Sequence, residues 1–295
     1  MSSITTTTED IIHKLRPQAQ AVRPMEGGVI NSVFLVDNEV FRFPRQAEGK
    51  QELLYGAEIL TRLAGKLSLN IPELKEAASD GSYIILSYVT GEMLSSEAIM
   101  AFNPAQKKLL AKAVVQCLRE INAALSIEEV KQLVKKYIPW QVAEDEFYQS
   151  ILKRDTKSKY HRLYASCYER YAQHQKEVGK VQEIVVYGDF HYGNILFNGK
   201  RELTGLIDFD DVNIGTVTTE FRQIYRLGPD IVEEMISESG DEFGVTDLEL
   251  IKLHAIIHEV WVLMRTEGKE PPKDGRDELA KKLLDQWIGK NWSEL

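Results

Sequence analysis

A chain of 295 residues and 33.6 kDa has material for one large domain or two lobes around an apolar core. Its 43% hydrophobic and 27% charged residues exclude wholesale disorder, and a formal charge of −9 with no basic stripe excludes nucleic acid as a partner. No apolar run is long enough to span a membrane, the N-terminal MSSITTTTEDIIHKL lacks the pattern of a secretory signal, and Cys117 and Cys167 fall inside helical patterns, so the expected location is the reducing cytoplasm.

Residues 8–16 read as a short helix. Val29 to Val36 and Glu39 to Phe43 read as a hairpin about Asp37-Asn38. Gly27-Gly28 ahead of it is either a plain turn or a device that lets backbone N–H groups of Ile30 to Ser32 approach phosphate oxygens. In Val40-Phe41-Arg42-Phe43-Pro44-Arg45, strand alternation puts Arg42 on the face opposite Phe41 and Phe43, where a cation would meet the α- and β-phosphates of a nucleotide. Glu52 to Leu67 has helical apolar spacing through Leu53, Leu60, Leu63 and Leu67 and stops before Asn70-Ile71-Pro72. Glu73 to Ala78, Asp80-Gly81 and Tyr83 to Val89 form a second predicted hairpin, which completes a small twisted sheet packed on that helix.

Asn103-Pro104 places a cap and an N1 proline in order, and Leu109, Leu110, Ala113, Cys117, Leu118 and Ile121 continue as a buried central helix. Residues 127–179 read as two or three amphipathic helices, with Tyr148 a core residue. Thr246 to Glu249 fits a capping box with Thr246 as the cap. The helix it starts carries His254 and His258, which share a face but lack a third metal ligand. Residues 219–295 hold ten Lys and Arg against seventeen Asp and Glu, which suits a cationic ligand and equally a solvated acidic surface. Glu220, Glu233, Glu234, Glu259 and Trp261 are the candidates for a substrate groove.

The chemistry concentrates in residues 184–211, IVVYGDFHYGNILFNGKRELTGLIDFDD. Ile184 to Val186 reads as a buried strand ended by Gly188. Ile195 to Phe197, Asn198-Gly199 and Leu203 to Ile207 read as strand, type I′ turn and strand. This fold-back carries Asp208 toward the loop that holds Asp189 and Asn194. Phosphoryl transfer asks for positioning and charge neutralisation rather than covalent chemistry. Asp189 is assigned to orient an acceptor hydroxyl and take its proton. Asn194 and Asp208 offer a side-chain carbonyl and a carboxylate, hard oxygen ligands that leave positions on Mg²⁺ for phosphate and water. Asp-x-x-x-x-Asn is also the spacing of the protein-kinase catalytic loop.

Tyr187-Gly188-Asp189-Phe190-His191-Tyr192-Gly193-Asn194 resembles the catalytic loop of the aminoglycoside phosphotransferase family, His-Gly-Asp-x-His-x-Gly-Asn. Ile207-Asp208-Phe209-Asp210-Asp211 is similar to its metal-binding strand, Ile-Asp-Phe-(Asp/Gly)-Asp. The likeness runs from about residue 20 to the C-terminal helices. It implies an α+β, two-lobed kinase-like fold: a small antiparallel-sheet N-terminal lobe for nucleotide, residues 1–90, and a larger, mainly helical C-terminal lobe for catalysis and substrate, residues 91–295. It favours Arg42 over Arg45 as the phosphate cation. The helix glutamate that usually pairs with that cation aligns with Gly56. Glu52, one turn earlier on the same face, is the substitute, and Glu58 is the alternative. Ser87-Tyr88-Val89-Thr90-Gly91 resembles the hinge between lobes, which assigns the backbones of Ser87 and Val89 to a purine. Main-chain contacts leave no side-chain signature, so ATP and GTP read alike. Two positions depart from the family: Tyr187 stands where it has His, and Gly215-Thr216 with Glu220 replaces Gly-Asp-Pro and a second Asp.

The implied activity is Mg²⁺-assisted transfer of the γ-phosphoryl group of ATP or GTP to the hydroxyl of a small molecule. An aminoglycoside is the first expectation, with antibiotic resistance as the associated role, and choline, homoserine, sugar and macrolide acceptors stay open. A kinase-like module that binds nucleotide without transfer is the competing reading. A metal-dependent phosphohydrolase comes third, because a His-rich ligand set is missing.

Overall fold

The computed structural model describes residues 7–25, 30–138, 144–179, 182–244, 246–269, 275–290 and 292. Helix α1 (Thr8–Leu15) starts at a reciprocal cap between Thr7 and Asp10. Strands β1 (Val22–Met25), β2 (Asn31–Val36) and β3 (Glu39–Pro44) follow, then α2 (Gly49–Leu63) and the hairpin β4 (Leu74–Ala77) and β5 (Ile84–Ser87). They form one antiparallel sheet in the order β1-β2-β3-β5-β4. Val36 pairs with Glu39, so the β2–β3 turn has two residues, and Asp37 takes the positive φ of 51° that such a turn requires. Alternation along β3 buries Phe41 and Phe43 with Ile12 and Ile85 on one face. Arg42 is thereby left to the other face, toward α2 and the cleft.

The C-terminal lobe begins with α3 (Ser96–Met100), α4 (Pro104–Ala124), α5 (Ile127–Tyr137), α6 (Glu144–Arg154) and α7 (His161–Val178). Asn103 and Gln106 cap α4 reciprocally, with Pro104 in the first turn. Four short strands, β6 (Ile184–Val186), β7 (Ile195–Phe197), β8 (Leu203–Leu206) and β9 (Asn213–Gly215), pair as β6 with β9 and β7 with β8. Helices α8 (Val217–Tyr225), α9 (Pro229–Ser239), α10 (Leu248–Thr266) and α11 (Arg276–Trp287) complete the chain. The main core joins α2, α4 and the short strands to α8 and α9. A second core, which includes Tyr148, lies among α6, α7, α10 and α11. Cys117 and Cys167 are buried free thiols. No helix among the described residues is long and apolar enough to cross a membrane.

Two local expectations are corrected. The β7–β8 connection is a five-residue loop, 198–202, in place of a two-residue type I′ turn. Asn198 Oδ1 accepts from the Lys200 and Glu202 amides at 2.9 and 3.1 Å, and the positive φ, 62°, falls on Arg201. This side-chain turn outcompetes the tight one. The cap of α10 is Asp247, whose carboxylate accepts from Leu250 N at 2.8 Å, rather than Thr246.

The lobes are stitched at the β7–β8 hairpin. Asn70 of the sheet lobe donates its N–H to the Thr204 carbonyl and accepts from Leu206 N, both at 2.9 Å, and just past the hinge Glu92 and Phe197 exchange backbone bonds of 2.9 Å. The Tyr55 hydroxyl of α2 also reaches the C-terminal lobe, where it donates to the Val212 carbonyl.

Candidate active site

β6 positions the catalytic loop. All three of its residues are buried. Asn122 of α4 clamps the middle one: its Oδ1 accepts from Val185 N at 2.9 Å and its Nδ2 donates to the Val185 carbonyl at 2.8 Å. The chain then turns at Gly188, φ 86°, where a Cβ would stand 2.6 Å from the Asp211 carbonyl oxygen. Only glycine supplies both the dihedral and the clearance.

The loop wraps round Asp189. His191 N donates to the Asp189 carbonyl at 2.7 Å, and Asn194 N donates to the His191 carbonyl at 2.9 Å. Asn194 Nδ2 donates to Asp189 Oδ2 at 2.7 Å. Gly193 N donates to His191 Nδ1 at 2.9 Å, which leaves the ring proton on Nε2, 3.3 Å from the same Oδ2. Burial works against ionisation of Asp189, yet these His191 and Asn194 contacts outweigh it and hold the carboxyl below the usual carboxylate range. Both side-chain donors fall on Oδ2, so Oδ1 remains for an acceptor proton.

The metal strand is tied to both ends of this loop. Ile207 N donates to the Asn194 carbonyl at 3.0 Å. The buried Tyr187 hydroxyl donates to the Ile207 carbonyl, and its ring packs on Phe190 and Phe209 at centroid distances of 4.8 and 5.2 Å. Tyr187 therefore links the loop to the residue before Asp208. Asp208 has a φ of 67°, a left-handed conformation uncommon for a non-glycine residue. Its Oδ1 is buried, accepts no hydrogen bond and lies 3.2 Å from Arg42 Nη2.

Arg42 itself is held by a residue that sequence reasoning did not single out. Its Nη2 donates to Asp210 Oδ2 at 2.6 Å and its Nη1 to Asp210 Oδ1 at 3.4 Å. Burial disfavours the guanidinium charge, but Asp210 and Asp208 outweigh it. Glu52 is not part of this pair: burial pushes its carboxyl up, and Arg42 pulls on it from longer range. Glu58 is engaged with Arg62 at 2.8 Å. Asp210 takes the place because it fills the space beside Gly56, the one alignment mismatch that could have signalled it. Burial also pushes Asp210 up, against the pull of Arg42. Asp211 rises to about 7 through burial and the charges of Asp189, Asp208 and Glu52.

The other residues expected to meet the nucleotide lie along the sheet and just beyond it. Gly27-Gly28 lies outside the described residues. Ile30 is exposed, its carbonyl accepting Arg45 N at 3.0 Å, and Ser32 pairs with Phe43. Ser87 N is spent on the Glu73 carbonyl at 2.9 Å, so Ser87 has only its carbonyl for a purine. Val89 lies two residues beyond β5 with its side chain buried.

Two of the groove candidates are not groove residues. Glu220 is fully buried beneath the catalytic loop and accepts from Gly188 N at 3.1 Å, and burial raises it to about 8. It braces the loop in place of the family's second Asp. Glu259 is also fully buried, paired with Arg226 at 2.7 Å. Trp261 packs edge-on against Phe147 at 5.5 Å and under Arg265 at 5.2 Å. Glu233 and Glu234 remain at the surface of α9.

Among the described residues no three His, Cys, Asp or Glu side chains gather as a self-sufficient metal site. His254, fully buried, is hydrogen-bonded to the Tyr148 hydroxyl. The donors at the cleft nevertheless fit Mg²⁺: the partly exposed Asp208 carboxylate and the Asn194 side-chain carbonyl are hard oxygens, too few to enclose a cation, as suits an ion completed by phosphate and water.

A sheet lobe bearing a buried cation, set over a helical lobe bearing an Asp-Asn loop and an Asp strand, defines a kinase-like phosphotransferase. The family model described as the phosphotransferase enzyme family matches residues 21–249, and the chain belongs to that family. Among solved structures, the GDP complex of wild-type aminoglycoside 2'-phosphotransferase-IIIa is 21% identical, with a TM-score of 0.76 over 96% of this chain and 98% of that one. The ternary complex of APH(2")-IIa with streptomycin and ATP is 16% identical, with a TM-score of 0.68 over 99% of each chain. A type I macrolide 2'-phosphotransferase is 13% identical, with a TM-score of 0.67 over 96% of this chain and 99% of that one. No curated protein sequence gives a significant match.

Proposed function

We propose that this phosphotransferase is a small-molecule kinase that moves the γ-phosphoryl group of ATP or GTP to a hydroxyl of an antibiotic-like acceptor, an aminoglycoside first. The observation that carries the reading is the Asp189–Asn194 bond of 2.7 Å in a loop bonded to Ile207, the residue before Asp208, with Asp208 in turn 3.2 Å from Arg42. In this reading the acceptor oxygen attacks the γ-phosphorus in line, the bond to the β–γ bridging oxygen breaks, and the nucleoside diphosphate leaves with that electron pair. The acceptor proton passes to Asp189 Oδ1. A carboxylate held below its usual range is a weak base, so Asp189 works chiefly by aiming the hydroxyl and takes the proton late. Arg42 offsets phosphate charge. Asn194 and Asp208 would hold Mg²⁺, which supplies charge neutralisation on the β- and γ-phosphates.

Support for the substrate classes comes from the similar structures, which are recorded with GDP, with ATP and streptomycin, and with kanamycin and GDP. The acidic balance of residues 219–295 suits a cationic acceptor. Ser87 and Val89 are the backbones proposed for the purine, and Ile30 and Ser32 for the phosphates. The division at residue 90 is proposed as the lobe boundary. The test is to incubate the protein with Mg²⁺, ATP or GTP and a panel of aminoglycosides, macrolides and small alcohols, and to seek the mass gain of one phosphate. One phosphorylated acceptor, lost in Asp189→Asn, is the expected result. Nucleotide binding with no transfer to any acceptor would favour a silent module.

A further inference from the structure

Arg42, Gly56 and Asp210 come from three separate elements and meet at one point. Arg42 belongs to β3, Gly56 to α2, and Asp210 to the loop after the metal strand, 168 residues from Arg42. The guanidinium is forked onto both Asp210 oxygens, and the two side chains are only 12% and 17% exposed. A Cβ built on Gly56 would fall 2.1 Å from Asp210 Oδ1 and 3.2 Å from its Cγ. Any other residue at position 56 would thus collide with the carboxylate in its present place. The absence of a side chain on the helix and the presence of one on the loop are two halves of the same contact.

We infer that Asp210 is the positioning residue of Arg42, with Gly56 as its required clearance, so that the cation aimed at the nucleotide phosphates is set by the metal-binding loop and not by α2. The inference rests on the kinase reading of the cleft. Two consequences follow from the distances. Arg42 Nη2 lies 2.6 Å from Asp210 but also 3.2 Å from Asp208, so Asp210 restrains a guanidinium that would otherwise settle on a metal-ligand carboxylate. Because one partner belongs to each lobe, the pair also couples the sheet lobe to Asp208. Tyr55, the residue before Gly56 on α2, bonds the Val212 carbonyl and reinforces the same junction.

A double-mutant cycle in the full-length protein tests this, with two readouts: melting temperature without ligand, and the Kd for Mg·ATP and Mg·GTP. Asp210→Ala and Gly56→Ala should each weaken nucleotide binding about tenfold, the scale of one charge-assisted hydrogen bond, and each should raise the Mg²⁺ concentration needed for it. In the Asp210→Ala background Gly56→Ala should change neither readout further, because the atom it strikes is gone. Moving the carboxylate to the helix, Gly56→Asp with Asp210→Ala, should recover most of the lost affinity, which a merely structural role would not do. Additive effects of the two alanine variants, or Asp210→Ala binding nucleotide as tightly as the native chain, would overturn the inference. A native chain that shows coupled melting but binds neither nucleotide would instead sink the kinase reading, leave the contact as an ion pair without a positioning role, and so overturn the inference by a separate route.

Discussion

The catalytic loop and the loop that follows the metal strand lie against each other yet are held in opposite ways. Around the Asp189 carboxylate the bonds are local: Asn194 to Asp189, His191 to Asp189 and Gly193 to His191 all span five residues or fewer. In residues 207–212 the partners come from far along the chain, Arg42 for Asp210 and Tyr55 for Val212. The carboxyl of Asp189, supplied with donors, sits below its ordinary range, while those of Asp210 and Asp211 are pushed up by burial and by neighbouring carboxylates. A short-range network orients the Asp189 carboxylate before any ligand arrives. The second loop instead gathers acidic groups whose mutual repulsion a cation relieves.

The sharpest way to break this contrast is to change the proposed base, Asp189, alone. Asp189→Asn should lower kcat by about a hundredfold or more while the Kd for Mg·nucleotide stays within about twofold, measured on an acceptor that the native chain phosphorylates. Asp208→Asn should also cost about a hundredfold, but with the Mg²⁺ dependence displaced to higher concentration, and a titration of rate against Mg²⁺ checks it. If both variants fail in the same manner, the two loops are not distinct devices.

Smaller effects sharpen the comparison. Glu220 is raised from an ordinary 4.5 to about 8 by burial. Between those values the native state holds a proton that the unfolded chain has lost, so its contribution is full below about 4.5 and disappears as pH rises through about 8. Glu220→Gln should therefore flatten the fall in stability across this window by up to about 1.4 kcal/mol per pH unit, read from denaturant unfolding at a series of pH values. The least effect is expected from Tyr187→Phe, which leaves the Ile207 carbonyl without that donor. It should cost about 1–3 kcal/mol and reduce turnover without altering the pH profile, as melting and steady-state rates would show.

Much of the site is legible in the sequence. Asp189, Asn194 and Asp208 stand out because a loop closed on itself writes its chemistry in spacing, and Asn103-Pro104 marks a helix start because capping is a matter of adjacent residues. The misreadings are equally physical. Asn198-Gly199 reads as a two-residue turn, but the Asn198 side chain competes for the same amides. Glu220 reads as a candidate for a substrate groove, but α8 packs under Gly188 and buries it. Asn122, which clamps β6 from a helix 63 residues away, carries no signal in the sequence at all.

The amino-acid sequence by itself determined the lobes' element order, the loop that presents Asp189 and the fold-back that returns Asp208, since each follows from periodicity, turn chemistry and short-range hydrogen bonding. Only the tertiary structure decided which carboxylate holds Arg42, which acid braces the catalytic loop and which hydroxyl, that of Tyr55, reaches across the lobes. Those choices depend on clearances such as the missing Cβ of Gly56 beside Asp210, and a clearance between distant segments exists only once the chain has packed.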